Sequence, residues 1–423
     1  MRAIILSIGD ELVLGQTVDT NSAWLSRQLA AVGCAVAAHL TVADDQRAIE
    51  QAIEESVGRC DFLIVTGGIG PTEDDLTRQA LAAVLREPLE VNEAWLAELH
   101  KFFEARGRKM PEANRVQAMV PRGATMIFNT AGTAAGIDAA YLSGDQKTVC
   151  RVFVLPGVPK EMQIMFTRDV LPHVRQAGGG AVILSRTLHT FGLGESAVAE
   201  KLGDLMRRDR NPSVGTTVTA GVVSLRINAR VASVPEAGQK LRDTEGACHA
   251  ALGDIIYGQD EQTLPGVVGR LLAERGEGVT TAESCTGGLL AKMITDVPGS
   301  SRYFKRGWVT YANEAKIAAL NVPLAVLHQH GAVSEPVVSA MAAGALLQES
   351  TASYALAISG VAGPDGGTPG KPVGTVCIAL AHRNGSVART FNFPGDREMI
   401  RDRSAKMALS MLRYHLLQKP MPF

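Results

Sequence analysis

Asp61-Phe62-Leu63-Ile64-Val65-Thr66-Gly67-Gly68-Ile69-Gly70-Pro71 decides how the first part of this chain folds. An uncharged run from Phe62 to Thr66, rich in β-branched and apolar residues, reads as a strand buried on both faces. The glycines and the proline after it end the strand in a turn. Working outward, residues 3–8 form a second such run, and residues 151–155 form a third that enters Pro156-Gly157. Helices are expected from the N-cap Asn21 to Gly33, over 46–57 and over 75–85. Buried strands separated by helices imply a parallel sheet covered on both sides, an α/β three-layer domain over residues 1–174.

Beyond it, Gly178-Gly179-Gly180 reads as a flexible break. A strand (181–190), a helix (195–206), two strands (215–219 and 222–231) and a helix (235–252) then predict a small α+β module over 175–258. It carries no ligand motif, and a spacer or dimerisation role is expected. A second α/β domain is expected over 259–423. Thr263 caps its first helix, and a strand over 278–283 runs into Ser284-Cys285-Thr286-Gly287-Gly288 and a helix over 289–295. Further strands are expected over 306–312, 354–360 and 374–382, with helices over 313–320, 335–348 and 398–417.

A chain of 423 residues needs two or three domains. Its net charge of −1 argues against a nucleic-acid or anionic-membrane partner, because both demand a basic face. No apolar run reaches the length of a membrane span, and residues 3–8 followed by Asp10 and Glu11 do not suit a signal peptide. The six cysteines are scattered, with no C-x-x-C pair, which suits reduced thiols. A cytoplasmic location is expected.

Two strand-to-helix junctions carry candidate chemistry. In the first, Gly67, Gly68 and Gly70 let backbone N–H groups approach an anion, with Thr72 beside them and a helix N-terminus behind. Ligands of open α/β sheets sit at this edge. Asp74 and Asp75, with Asp10 after the first strand, are candidate ligands for a hydrated Mg²⁺ or similar ion, and Asp19 and Asn21 lie at the same edge. The alternative is a tight turn closed by an acidic cap.

In the second, Ser284 is either an exposed nucleophile, with neighbouring backbone N–H groups stabilising an oxyanion, or a plain N-cap. Cys285 is the rival nucleophile, although buried structural cysteine is common. Asn313 reads as an N-cap, which places Lys316 third in the next helix. A lysine there opposes the helix dipole, and its lowered pKa would suit a general base. Tyr311 can relay a proton or orient Lys316, or be an interior aromatic. No histidine completes a triad, and serine with lysine is a known substitute. His328 and His330 are expected to flank a turn. Gly360 and Gly363 open a long Gly/Pro loop that offers amides, Thr368 and Lys371 to a phosphate. Arg397 and Arg401 suit a substrate phosphate or acids across a dimer interface, with the interface preferred.

Taken together, Gly9-Asp10-Glu11-Leu12, Gly15-Gln16, Asp19-Thr20-Asn21, residues 66–77 and Leu155-Pro156-Gly157-Val158-Pro159-Lys160-Glu161-Met162 resemble the molybdopterin-binding-like domain of the CinA family. The resemblance departs at Gly132-Thr133-Ala134-Ala135-Gly136, where proline is expected at Ala135. Glu283 to Gly288, Tyr311 to Lys316 and Gly360 to Gly367 look like the CinA C-terminal domain, which also occurs alone as a nicotinamide mononucleotide deamidase. The resemblance implies Ser284, Tyr311 and Lys316 as the catalytic set of that amidase, without a metal. It places Thr286, Gly287, Gly288, Asn313, Gly360, Gly363 and Thr368 around the substrate. For the first domain it implies an ADP-ribose pyrophosphatase that uses a divalent metal and K⁺. Nicotinamide mononucleotide and ADP-ribose are then the small-molecule partners, and a homodimer is expected. A nucleotide- or molybdopterin-binding protein that senses a ligand without catalysis is the alternative. The family's name also suggests a competence or damage-response role, which no residue pattern supports.

Overall fold

The structure, a computed structural model, describes residues 1–142, 148–177 and 182–423. The expected glycine break at 178–180 lies outside the described residues. The chain divides into two compact units, Met1–Leu184 with Ala229–Leu241, and Ser185–Asn228 with Arg242–Phe423.

The first unit is built on a six-stranded sheet. Arg2–Ile8 lies between Ala35–Val42 and Phe62–Thr66, and Phe62–Thr66 pairs onward with Thr148–Leu155, all in parallel. Gly136–Leu142 and Thr125–Ile127 extend this edge antiparallel, so the sheet is mixed rather than purely parallel. The period of two along Arg2–Ile8 explains why both faces are covered. Ile4, Leu6 and Ile8 join one core with Ile49, Ile53, Leu63 and Val65. Ala3 and Ile5 join the other with Leu25, Leu29, Phe62 and Ile64. Ala135, where proline was expected, is buried in the first of these cores.

A four-stranded sheet, most of which belongs to the second unit, carries Ser213–Thr219, Val222–Val231, Val182–Phe191 and Ile256–Gln259 in that order. The second unit also contains a five-stranded sheet ordered Phe304–Val309, Val279–Glu283, Tyr354–Gly360, Thr375–His382 and Gly385–Asn392. Its first three strands are parallel and its last two antiparallel. Large residues on one face, among them Leu356, Ile358, Ile378 and Leu380, pack with the C-terminal helix Arg397–Leu416. The other face is lined by Ala355, Ala357, Ala379 and Ala381 and covered by Glu335–Gln348. A Cβ on Gly344 of that helix would stand 1.9 Å from the carbonyl oxygen of Leu320, so glycine is required where the helices meet.

His328 and His330 lie in a helix, Leu324–His330, rather than about a turn. Among the described residues no helix is long and apolar enough to cross a membrane. All six cysteines are buried and free.

Candidate active site

Val279–Glu283 is buried along its whole length, and its carboxyl end delivers Ser284. The Ser284 amide donates to Ile358 O at 2.9 Å, which anchors the turn to the neighbouring strand. Gly287 (φ 59°) and Gly288 (φ 92°) then take left-handed conformations that a side chain would strain. The helix Leu289–Thr295 has Gly288, not Ser284, at its N-cap. The capping role that competed for Ser284 falls instead to the Glu283 carboxylate, which accepts from the amides of Gly288 (3.0 Å), Leu290 (3.0 Å) and Ala291 (2.8 Å). Among the described residues the amides of Cys285 and Thr286 donate to no backbone carbonyl, so the turn leaves donors beside the serine.

Lys316 Nζ donates to Ser284 Oγ at 3.2 Å, to Thr310 O at 2.8 Å and to Tyr311 O at 3.2 Å. Lys316 is only 1% exposed. Burial holds its ammonium pKa below the usual lysine value, partly offset by Cys285 and Glu314. The expected position needs one correction. Ala312 is the N-cap and Asn313 is the first helical residue, without a side-chain cap bond, so Lys316 is fourth in Asn313–Leu320. Burial leads the causes of its shift.

Tyr311 is not an interior aromatic. The strand Phe304–Val309 ends before it, and its side chain is 60% exposed. Its carbonyl holds Lys316, while its hydroxyl accepts from Arg397 Nη2 at 3.1 Å. Cys285 is buried, and burial pushes its thiol pKa up to about 12. Such a thiol is a poor nucleophile near neutral pH.

Arg397 Nη1 also donates to Gly363 O at 2.7 Å, and Arg401 Nη2 donates to Thr286 O at 2.6 Å. Through these two arginines the C-terminal helix thus reaches the Gly363 loop and the Ser284 turn. Gly360 is fixed by crowding, since a Cβ there would meet Val376 and Thr375 O. Thr368 lies in an exposed turn whose backbone bonds go to Lys371. Lys371 Nζ in turn reaches His330 O at 2.9 Å. Asn313 is exposed at the start of its helix.

At the carboxyl edge of the first unit's sheet lies a cavity of about 470 Å³, walled by Gly67, Gly68 and Gly70 and facing Glu11, Asp44 and Asp74. Gly67 (φ 101°) and Gly68 (φ 61°) are left-handed, and Cβ atoms there would strike Ile8 O and Thr77 Oγ1. The loop is underpinned by Arg78, fully buried, which donates to Ile69 O and, at 3.2 Å, to Gly70 O. Burial brings this guanidinium's pKa down to about 10.

The acids here are largely engaged. Asp75 does not close the helix Thr77–Leu85, whose N-cap is Leu76. Its carboxylate accepts from Gly70 N (2.7 Å), Thr72 N (2.9 Å) and Thr72 Oγ1, tying the loop together. Asp10 and Asp44 each accept the other's amide, at 3.1 and 2.9 Å. Burial, opposed by the amide bond and aided by Asp10, Asp74 and Glu11, keeps the Asp44 carboxyl pKa above its usual value. Asp19, not Asn21, caps Thr20–Ala31, accepting from Ser22 N and Oγ and from Ser7 Oγ. Burial works to raise its pKa, but these bonds prevail and hold it low. Asn21 lies inside that helix and donates to Gly157 O at 2.8 Å. Asp74 is exposed. Among the described residues no three His, Cys, Asp or Glu side chains are arranged to hold a metal ion. Asp10 and Asp75 spend carboxylate oxygens on these loop bonds, whereas Asp74 lines the cavity.

Family profiles match three successive stretches: a probable molybdopterin binding domain over 4–176, the KH domain of damage-inducible protein CinA over 185–258, and the CinA C-terminal domain over 261–416. A protein of Symbiobacterium thermophilum, named as competence-damage inducible, is 47% identical over 99% of this chain and 99% of its own length. The chain belongs to the CinA family. A CinA-like protein of Geobacter sulfurreducens is 43% identical over 99% of this chain and all of its own. A crystal structure of a CinA superfamily protein from Klebsiella pneumoniae shares 39% identity, covering 37% of this chain and 96% of that one, with a TM-score of 0.36.

In this CinA-family chain, sequence reasoning overlooked Glu283, Asp44 and Arg78. Glu283 could have been noticed as an acid at the end of an otherwise uncharged buried strand. Arg78 gave no local signal, because it is one polar residue in an ordinary amphipathic helix.

Proposed function

We propose that the second unit is an amidohydrolase that converts nicotinamide mononucleotide to nicotinate mononucleotide and ammonia. The observation that carries this reading is the buried Lys316 amine 3.2 Å from Ser284 Oγ. With its pKa lowered by burial, the amine can take the serine proton. Ser284 Oγ attacks the carboxamide carbon, and the amides of Cys285 and Thr286 receive the oxyanion. The tetrahedral species collapses, Lys316 returns its proton to the departing nitrogen, and ammonia leaves an ester on Ser284. Water, deprotonated by Lys316, hydrolyses that ester to the carboxylate and frees the serine. Lys316 thus orders both halves of the cycle.

The substrate class is supported by charge. Arg397 and Arg401 form no ion pair among the described residues, and they stand over the loops beside Ser284. Two uncompensated guanidiniums favour a phosphorylated substrate. Competing nicotinamide mononucleotide against its dephosphorylated riboside, with product acid measured by chromatography, tests this reading. Preference for the riboside contradicts it.

For the first unit, the glycine-walled cavity supports a nucleotide ligand, with ADP-ribose the candidate from the family resemblance. The commitment of Asp75 and Asp10 to internal bonds favours binding without metal-dependent cleavage. Calorimetric titration of ADP-ribose, with AMP release followed in the same samples, separates the two: turnover that needs a divalent ion restores the pyrophosphatase reading.

A further inference from the structure

We propose that Glu283 is a positioning residue for deamidation, its carboxylate sealed behind the nucleophile and fixing the approach of Ser284. This inference rests on the amidase reading of the Ser284–Lys316 pair.

Glu283 has no exposed surface, and among the described residues it forms no ion pair. Burying an unpaired carboxylate is costly unless hydrogen bonds replace its water. Here three amides do so, those of Gly288, Leu290 and Ala291. A serine or aspartate at position 288 could have capped the same helix locally. The acid comes instead from the last residue of the preceding strand, so its bonds span the whole turn that carries Ser284. One end of the turn is fixed by the strand and the other by this side chain.

The same residue also references the base. Glu283 O accepts from Thr310 N at 2.8 Å, and Thr310 O accepts from Lys316 Nζ at 2.8 Å. Nucleophile and base are therefore registered against one residue, by its side chain and its carbonyl respectively. Only the side-chain link can be removed by mutation, which makes the idea testable.

In the carboxylate, Oε2 serves Gly288 and Leu290 while Oε1 serves Ala291. Glu283→Gln keeps the size but replaces one acceptor by an NH₂ group, which must then face an N–H donor. Glu283→Asp keeps the charge but shortens the reach by one methylene.

The experiment compares the full chain with Glu283→Gln and Glu283→Asp, measuring kcat and KM for nicotinamide mononucleotide, the pH profile of kcat, and hydrogen exchange over residues 284–291. For Glu283→Gln, kcat should fall on the order of 100-fold, the effect of misplacing a reacting group by about 1 Å. KM should stay within about threefold, because substrate contacts remain. The apparent pKa of kcat should not move, since Lys316 is untouched, and exchange in the turn should quicken. Glu283→Asp should change in the same direction, and it carries the comparison if the glutamine variant does not fold. A kcat within about threefold of the parent, unchanged exchange, or a shifted pKa in place of a kcat loss overturns the proposal. If the parent itself releases no ammonia, the amidase reading fails, and exchange in the turn still decides whether Glu283 holds it.

Discussion

Lys316 Nζ lies 3.2 Å from Ser284 Oγ, and its two other hydrogen bonds end on main-chain carbonyls, Thr310 O and Tyr311 O. A neutral amine has two hydrogens, and those carbonyls take both, which aims the lone pair at the serine. An ammonium would donate a third hydrogen to the same oxygen. The geometry accommodates either state, so pH selects between them.

Lys316→Arg should be nearly as damaging as Lys316→Ala. Guanidinium keeps the charge, but it cannot lose a proton near neutral pH and its planar fork does not match this pocket. Both variants should lose at least about a hundredfold in kcat, the usual contribution of a general base. Steady-state ammonia release checks this. A near-parental arginine variant would make Lys316 an electrostatic residue only.

The pH dependence has a definite sign. A base works when deprotonated, so activity is present above the Lys316 pKa and is lost as pH falls through it. Because burial lowers that pKa, the acid limb of kcat should lie below the ~10.4 of free lysine. A profile of kcat against pH decides it. A limb at or above the free-lysine value contradicts the assignment.

Much of this site was legible because its signals are local. The buried runs that became Phe62–Thr66, Val279–Glu283 and Tyr354–Gly360 need only a few consecutive residues to announce themselves. Ser284 and Lys316 each sit at a strand-to-helix junction, where a polar residue stands out against its neighbours. The edge strand Gly385–Asn392 did not announce itself, because most of it is exposed and it lacks an apolar alternation. The roles of Arg401 and Glu283 were hidden for another reason. Arg401 reaches a carbonyl 115 residues away, and Glu283 reaches across a turn, so neither bond leaves a periodic trace. Asp75 stays ambiguous in sequence because a carboxylate beside a glycine loop looks alike whether it awaits a cation or ties the loop to itself.

Asp75 and Asp74 should behave differently when mutated. Asp75→Ala removes three bonds to the Gly70–Thr72 loop and should cost about 1–3 kcal/mol, on the scale of a lost partly buried carboxylate network. That corresponds to a Tm lower by roughly 2–12 °C for a unit of this size. Asp74→Ala, at an exposed position, should leave Tm unchanged. Differential scanning fluorimetry checks both, and equal, negligible shifts would return Asp75 to the role of a free ligand.

Deamidation should be indifferent to chelators. Ser284 and Lys316 supply nucleophile and base from the protein itself, so EDTA should leave the initial rate of ammonia release unchanged. Loss of activity on EDTA, restored by a divalent cation, would show that this mechanism is misread.

The most direct test is the initial rate of ammonia release from nicotinamide mononucleotide by the parent chain, Ser284→Ala and Cys285→Ala, assayed together with nicotinate mononucleotide as the second product. The parent should form the two products in equal amounts. Ser284→Ala should fall by at least about 10³-fold, as loss of a covalent nucleophile does. Cys285→Ala should stay close to the parent, because its thiol is a buried packing group. A parent without ammonia release, or a Ser284→Ala variant that turns over at the parental rate, would contradict the account.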